Sequence, residues 1–125
     1  MKKYIFGALL MCLCVFQSYG QEQQLNLLNV ASFEKEMMSN KGLLIDIRTP
    51  AEFEEGTIEG ARNIDFLGDT FKTEISELDK TEPVYIFCKS GGRSAKAHKL
   101  LKEEGFENVY ELDGGFTAWD ETHNK

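Results

Sequence analysis

Short apolar strands that alternate with helix-forming segments predict an α/β fold, a mainly parallel sheet of about five strands with helices on both faces. Two observations carry this prediction. The candidate strands are short and mostly apolar, as is typical of strands buried on both faces, and they lie at 25–30, 43–47, 61–66, 84–87 and 109–112. A helix-forming segment separates each from the next, which is the crossover that parallel neighbours require.

The segment ahead of the first strand has the pattern of a secretory signal peptide. Lys2 and Lys3 make a basic start, residues 4–16 are apolar and uncharged, and small residues up to Gly20 suit cleavage. We expect residues 1–20 to be removed and 21–125 to form one exported domain, periplasmic or secreted. The apolar stretch at residues 4–16 is shorter than the about 20 residues that a bilayer span needs, so we expect no stable membrane association.

The mature chain is acidic. Loss of Lys2 and Lys3 lowers the number of basic residues from 14 to 12 against 21 acidic ones, which changes the formal net charge from −7 to −9. This balance argues against nucleic acid as a partner, because nucleic-acid binding needs basic patches. A small anionic substrate remains compatible with this net charge. Salt screens the distant acidic residues, so cationic side chains near the site determine whether an anion binds.

Cysteine usage points to a reactive thiol. Cleavage after residue 20 would remove Cys12 and Cys14, so the mature chain keeps Cys88 as its one cysteine. An unpaired cysteine in an exported protein indicates either an intermolecular bridge or a reactive thiol. The loop around Cys88 favours the second alternative, a reactive thiol.

The first two helices have recognisable start signals. After the strand at 25–30, we expect Ser32 to cap a helix that carries Glu34 and Glu36 in its first turn. The strand at 43–47 leads into a capping box of Thr49 and Glu52. Pro50 at the first helical position and Gly56 at the end complete this second helix.

The second half of the chain continues the alternation. A helix is expected over residues 69–78, and another over 93–104 that Gly105 closes. After the last strand, Gly114 and Gly115 are expected to shape a turn into a final helix.

Cys88 opens the loop between the strand at 84–87 and the helix at 93–104. Gly91 and Gly92 let this backbone curl so that several N–H groups point toward one centre. Such donors, with the positive end of the helix, favour the thiolate and lower the pKa of the thiol. The alternative is that Cys88 is a buried apolar residue that ends a strand.

Four separated motifs together resemble the single-domain rhodaneses, and they cover most of the mature chain in the expected order. The motifs are LIDIRTPAEF at 44–53, IEGARNI at 58–64, CKSGGRS at 88–94, and LDGGF at 112–116 followed by Trp119. The chain has Thr57 where that family often has histidine. The resemblance implies a rhodanese-like three-layer sandwich.

The resemblance also implies sulfur transfer. Cys88 would take a sulfane sulfur from thiosulfate or from a persulfide or polysulfide donor, and would pass it to a thiophilic acceptor such as cyanide or a thiol. The residues implied in substrate binding are Lys89, Ser90, Gly91, Gly92, Arg93 and Ser94. Of these, Lys89 and Arg93 would bind an anionic donor.

Other candidate residues carry weaker signals. Asp46 and Arg48 end a strand at the same edge of the sheet, where they either brace the loop or form a structural ion pair. His98 is a candidate base, although a thiolate held by backbone donors needs none. No spacing of metal ligands and no nucleotide-binding glycine motif is present, so neither a metal nor a cofactor is implied.

Two other functions stay open. The first is a binding or sulfur-carrier module that uses the same fold without turnover. The second is a cysteine-dependent phosphatase or arsenate reductase, but such loops place five residues between cysteine and arginine, whereas four lie between Cys88 and Arg93. The sequence leaves open the physiological donor and acceptor and the oligomeric state.

Overall fold

A five-stranded sheet forms the centre of the part of the chain that the structure, a computed structural model, describes, residues 26–124. The strands are β1 (Leu27–Leu28), β2 (Leu43–Asp46), β3 (Arg62–Asn63), β4 (Val84–Phe87) and β5 (Val109–Leu112). Their order across the sheet is β1-β5-β4-β2-β3, and each neighbouring pair is parallel. The predicted parallel sheet is confirmed.

Helices pack on both faces of this sheet. They are α1 (Val30–Ser39), α2 (Pro50–Glu55), α3 (Phe71–Ser76), α4 (Gly92–Glu103) and α5 (Gly115–His123). Ile75 of α3 and Leu101 of α4 belong to the apolar cluster on one face. Phe33 of α1 and Phe116 of α5 belong to the cluster on the other face. The domain therefore has three layers.

The central strand β4 is buried along its whole length. Val84 and Ile86 point into the cluster beneath α3 and α4, while Tyr85 and Phe87 point into the cluster beneath α1 and α5. This alternation follows from the two-residue period of a strand. Packing on both faces fixes the carboxyl end of β4, where Cys88 begins the next loop.

The start of the described chain differs from the prediction. The strand expected over 25–30 is reduced to two residues, because Asn29 caps α1 with its side-chain oxygen, 2.9 Å from the backbone N of Ser32. Ser32 is therefore not the cap. Since the helix starts earlier than expected, Glu34 and Glu36 lie beyond its first turn.

The second helix is as predicted. Thr49 and Glu52 form the reciprocal capping box, Pro50 is the first helical residue, and the helix ends at Gly56. The strand predicted over 61–66 shortens to β3, and the helix predicted over 69–78 shortens to α3.

The predicted signal peptide, residues 1–20 with Cys12 and Cys14, lies outside the described residues. Export therefore stays a prediction. Within residues 26–124, no helix has the length and apolar character that a membrane crossing requires.

Candidate active site at the carboxyl end of β4

The loop after β4 wraps the chain around the sulfur of Cys88. Gly91 precedes α4 with φ of +127°, a conformation that favours glycine. Its backbone N lies 3.1 Å from Cys88 Sγ, and that of Ser94, in the first turn of α4, lies 3.4 Å away. The Ser94 hydroxyl oxygen is 3.5 Å from the same sulfur. Two backbone N–H donors and one hydroxyl group thus surround a single buried thiol, and the hydroxyl becomes a third donor when the thiol ionises.

These contacts favour the thiolate. Burial alone raises the pKa of Cys88, but hydrogen bonds from the Ser94 hydroxyl and from the backbone of Ser94, Gly91 and Ser90 outweigh it. The net result is a pKa below the ordinary value for a thiol. Ser90 and Gly91 contribute backbone N–H groups from the loop in which the sequence predicted such donors, and Ser94 adds its backbone N–H and its hydroxyl.

The start of α5 holds the Cys88 loop from the other side. Phe116 N–H donates to the carbonyl oxygen of Cys88 at 2.8 Å, and Thr117 N–H donates to that of Lys89 at 3.0 Å. Gly115 makes this approach possible: its φ is +59°, and a Cβ there would lie 2.5 Å from the Cys88 carbonyl oxygen. The sequence indicated only a turn at this glycine.

A cavity of about 340 Å³ opens over Cys88. Its lining residues are Phe66, Leu67, Cys88, Ser90, Gly92, Arg93 and Lys96. Ser90, Gly92 and Arg93 were expected there, whereas Phe66, Leu67 and Lys96 were not. The exposed Lys89 does not line the cavity. The sequence spacing could have predicted Lys96, because a residue three positions after Arg93 lies on the same face of the helix.

Arg93 is held by a carboxylate from a different helix. Its two terminal nitrogens lie 2.7 and 3.0 Å from the two carboxylate oxygens of Glu52, which is a bidentate ion pair. The hydrogen bonds with Arg93, opposed by partial burial, lower the pKa of Glu52 to about 2. The Glu52 interaction raises the pKa of Arg93. The guanidinium at the cavity wall is thus fixed in position.

Because of this ion pair, we expect the free energy of unfolding to depend on pH in a specific way. Because the pKa of Glu52 is depressed from 4.5 to about 2, its contribution is complete above about pH 4.5 and is lost as the pH falls toward 2. The pair is partly exposed, so we expect about 1 kcal/mol after solvent screening. Glu52→Gln, which can keep the capping box, should lower the free energy of unfolding by that amount at neutral pH and by much less near pH 2.

Chemical denaturation across this pH range measures the difference between Glu52→Gln and the unmodified protein. Glu55→Gln, an exposed change in the same helix, is the control. A difference that stays constant down to pH 2 would contradict the assignment.

Asp46 and Arg48 form a buried ion pair of 2.7 Å. Arg48 also donates to the carbonyl oxygen of Gly56, and Thr57 donates to Asp46. The pair reaches the loop indirectly, because the Arg48 guanidinium lies 4.3 Å from the ring centre of Phe116, whose N–H holds Cys88. Asp46 and Arg48 thus brace the layer beneath the loop.

His98 is not among the residues that line the cavity. Its Nδ1 lies 2.9 Å from a carboxylate oxygen of Glu111, so its ring is placed against that carboxylate. Within the described residues, no group of three or more histidine, cysteine, aspartate or glutamate side chains is arranged to hold a metal ion.

Comparison with known families places the chain in a family. The family model described as Rhodanese-like domain matches residues 29–122. The chain belongs to the rhodanese-like family. Its five-stranded parallel sheet is therefore that of a rhodanese-like domain, as the sequence motifs indicated.

Relatives of this rhodanese-like protein include thiosulfate sulfurtransferase GlpE of Ectopseudomonas mendocina, 36% identical over 70% of this chain and 79% of that protein. An uncharacterized protein, YqhL of Bacillus subtilis, is 42% identical over 63% of this chain, and the match spans only 61% of YqhL. The rhodanese-like domain protein of Staphylococcus aureus has a similar structure, with a TM-score of 0.66 and 28% identity over 75% of this chain and 90% of that one.

Proposed function

We propose that this rhodanese-like protein is a sulfurtransferase that moves a sulfane sulfur from thiosulfate, or from a persulfide or polysulfide, to a thiophilic acceptor through Cys88. One observation carries the proposal: the thiol lies at the base of a cavity with the backbone N–H groups of Gly91 and Ser94 directed at its sulfur. Kinship with proteins named thiosulfate sulfurtransferase supports it.

The chemistry takes two steps with thiosulfate as donor. The Cys88 thiolate attacks the outer sulfur, the sulfur–sulfur bond of thiosulfate breaks, and sulfite leaves with the electron pair. The acceptor, for example cyanide, then attacks the outer sulfur of the Cys88 persulfide, releases thiocyanate and restores the thiolate. The N–H groups around the sulfur stabilise negative charge throughout the cycle.

The arginine contacts weigh against oxyanion chemistry of the phosphatase type. Arg93 is engaged by Glu52 through two hydrogen bonds and is not free to clasp a phosphate or arsenate group held inside the loop. The loop is also one residue shorter than such an oxyanion would require. A ring of this length suits the single sulfur atom that is transferred better than a phosphate.

Turnover separates an enzyme from a passive sulfur carrier. Purified protein with thiosulfate and cyanide is expected to release many equivalents of thiocyanate per chain, measured by its coloured iron complex. A single equivalent per chain would instead indicate a carrier module.

Lys96 is the expected donor-binding cation. It lines the cavity and forms no ion pair within residues 26–124, whereas Lys89 lies outside the lining. We expect Lys96→Gln to reduce kcat/KM for thiosulfate by about tenfold, as loss of one charged contact implies, and Lys89→Gln to have a much smaller effect.

An uncharged organic polysulfide serves as the control donor for these two variants, because it gains little from a cation. Equal losses with the charged and uncharged donors would remove Lys96 from anion binding. A larger loss in Lys89→Gln than in Lys96→Gln would restore the assignment made from sequence.

A further inference from the structure

A buried carboxylate that the two transfer steps do not use lies behind Cys88. Glu111 of β5 is 7% exposed, and a carboxylate at that depth needs hydrogen-bond partners. One of its oxygens lies 2.9 Å from Nδ1 of His98 and the other lies 3.3 Å from Oγ of Ser94. Neither Glu111 nor His98 lines the cavity, and Glu111 is linked to the sulfur through Ser94.

The Ser94 hydroxyl connects this carboxylate to the sulfur. Ser94 is fully buried, and its hydroxyl lies within donating distance of the carbonyl oxygen of Gly91, at 3.1 Å, and of the carboxylate of Glu111. Its oxygen is also 3.5 Å from the sulfur of Cys88, which donates to it as a thiol and accepts from it as a thiolate. A hydroxyl has one hydrogen, so it donates to one of these at a time. When the Ser94 hydroxyl donates to Glu111, it therefore cannot donate to Cys88.

The strongest acceptor changes during sulfur transfer. In the thiolate, negative charge is on Cys88 Sγ, which then attracts the hydroxyl hydrogen. In the persulfide, the negative charge moves to the outer sulfur, and Sγ becomes a neutral, weak acceptor. The carboxylate of Glu111 is then the charged acceptor that remains within reach of Ser94 Oγ.

We propose that Glu111, held in place by His98, is a positioning residue that acts through Ser94 by competing with Cys88 Sγ for the Ser94 hydroxyl. The hydroxyl stabilises the thiolate when it points to Sγ, and it returns to Glu111 when sulfur is loaded. The part that concerns the loaded sulfur rests on the proposed function, whereas the competition for the hydroxyl rests on geometry alone.

The other charged and titratable groups around this network are few. The strands beside β5 place Leu27 and Ile86 next to Glu111 in register, and neither titrates. From α4, His98 faces the carboxylate, while Arg93, paired with Glu52, and Lys96 lie on the cavity side of Cys88. His98 is thus the titratable side chain in direct contact with Glu111.

Titration of the Cys88 thiol tests the proposal without any sulfur donor. We expect Glu111→Gln to lower the measured pKa of Cys88 by about one pH unit, because a weaker acceptor releases the hydroxyl to the sulfur. Ser94→Ala should raise it. In the Ser94→Ala background, Glu111→Gln should have less than half of its original effect, since the hydroxyl that transmits it is gone.

Thiolate absorbance in the ultraviolet and the pH dependence of alkylation by iodoacetamide both measure this pKa. Glu121→Gln, an exposed change on α5, controls for the loss of one negative charge, and thermal unfolding confirms that each variant is folded. An unchanged Cys88 pKa in folded Glu111→Gln, or an equal effect with and without Ser94, would overturn the proposal. Because no sulfur is transferred here, this outcome is independent of whether the protein is a sulfurtransferase.

Discussion

Cys88→Ser is expected to abolish sulfur loading. After incubation with thiosulfate, the unmodified protein should gain the mass of one sulfur atom and lose it again when cyanide is added, because the persulfide forms on the Cys88 thiolate. A serine hydroxyl in the same ring of donors remains protonated and cannot take up sulfane sulfur. We therefore expect no mass gain, and a fall in thiocyanate formation of at least about 10⁴-fold.

Intact-mass spectrometry of the two proteins makes this comparison. Cys88 is the one free cysteine among the described residues, and it is buried, so thermal unfolding should show that the serine variant keeps its fold. Sulfur gain that persists in folded Cys88→Ser would place the carrier elsewhere and would contradict the proposed mechanism. No gain in the unmodified protein, with thiosulfate or with a persulfide donor, would favour a binding module.

Local patterns predicted the centre of the fold well because their physical causes are local. All four residues of β4 are buried and apolar, so the strand occupies the predicted range. The capping box of Thr49 and Glu52 involves residues three apart, and it too was visible in the sequence. At the edge of the sheet, β1 is short because Asn29, and not the predicted Ser32, caps the first helix.

The parts of the site that sequence reasoning missed depend on contacts between distant residues. Glu52 and Arg93 are 41 positions apart, and only the packing of α2 against the loop brings them together. Lys89 was predicted to bind the anionic donor because it lies next to Cys88, and Lys96 was missed. In the structure the carbonyl oxygen of Lys89 accepts a hydrogen bond from α5, and the Lys89 side chain does not line the cavity.

Glu111 illustrates a signal that was present but unused. It lies two positions after Val109, so the strand period places it on the face that packs against α4. A charged residue at such a position indicates a partner on the covering helix. Ser94 and His98, four residues apart on α4, are the residues that meet it.

Gly115→Ala is expected to disturb the active site without touching any group that carries charge. The position has φ of +59°, which costs an alanine roughly 1–2 kcal/mol. Its Cβ would also lie 2.5 Å from the carbonyl oxygen of Cys88 and 2.6 Å from that of Lys89, and backbone atoms cannot yield as a flexible side chain does. We expect a loss of about 3 kcal/mol in the free energy of unfolding, and a fall in sulfur transfer of roughly 100-fold as the loop shifts.

Gly60→Ala separates the effect of the positive φ from the effect of the steric clash with the Cys88 loop. Gly60 also has a positive φ, +89°, but a Cβ there would meet nothing within 4 Å. It should lose stability through the backbone conformation alone and keep the rate of sulfur transfer. Chemical denaturation and thiocyanate release, measured on both variants, make the comparison. If Gly115→Ala and Gly60→Ala lose the same stability and both keep the rate, the contact of α5 with the Cys88 loop does not position the sulfur. A rate loss confined to Gly115→Ala would show that this backbone contact, together with the donors on the loop itself, holds the sulfur in place for attack.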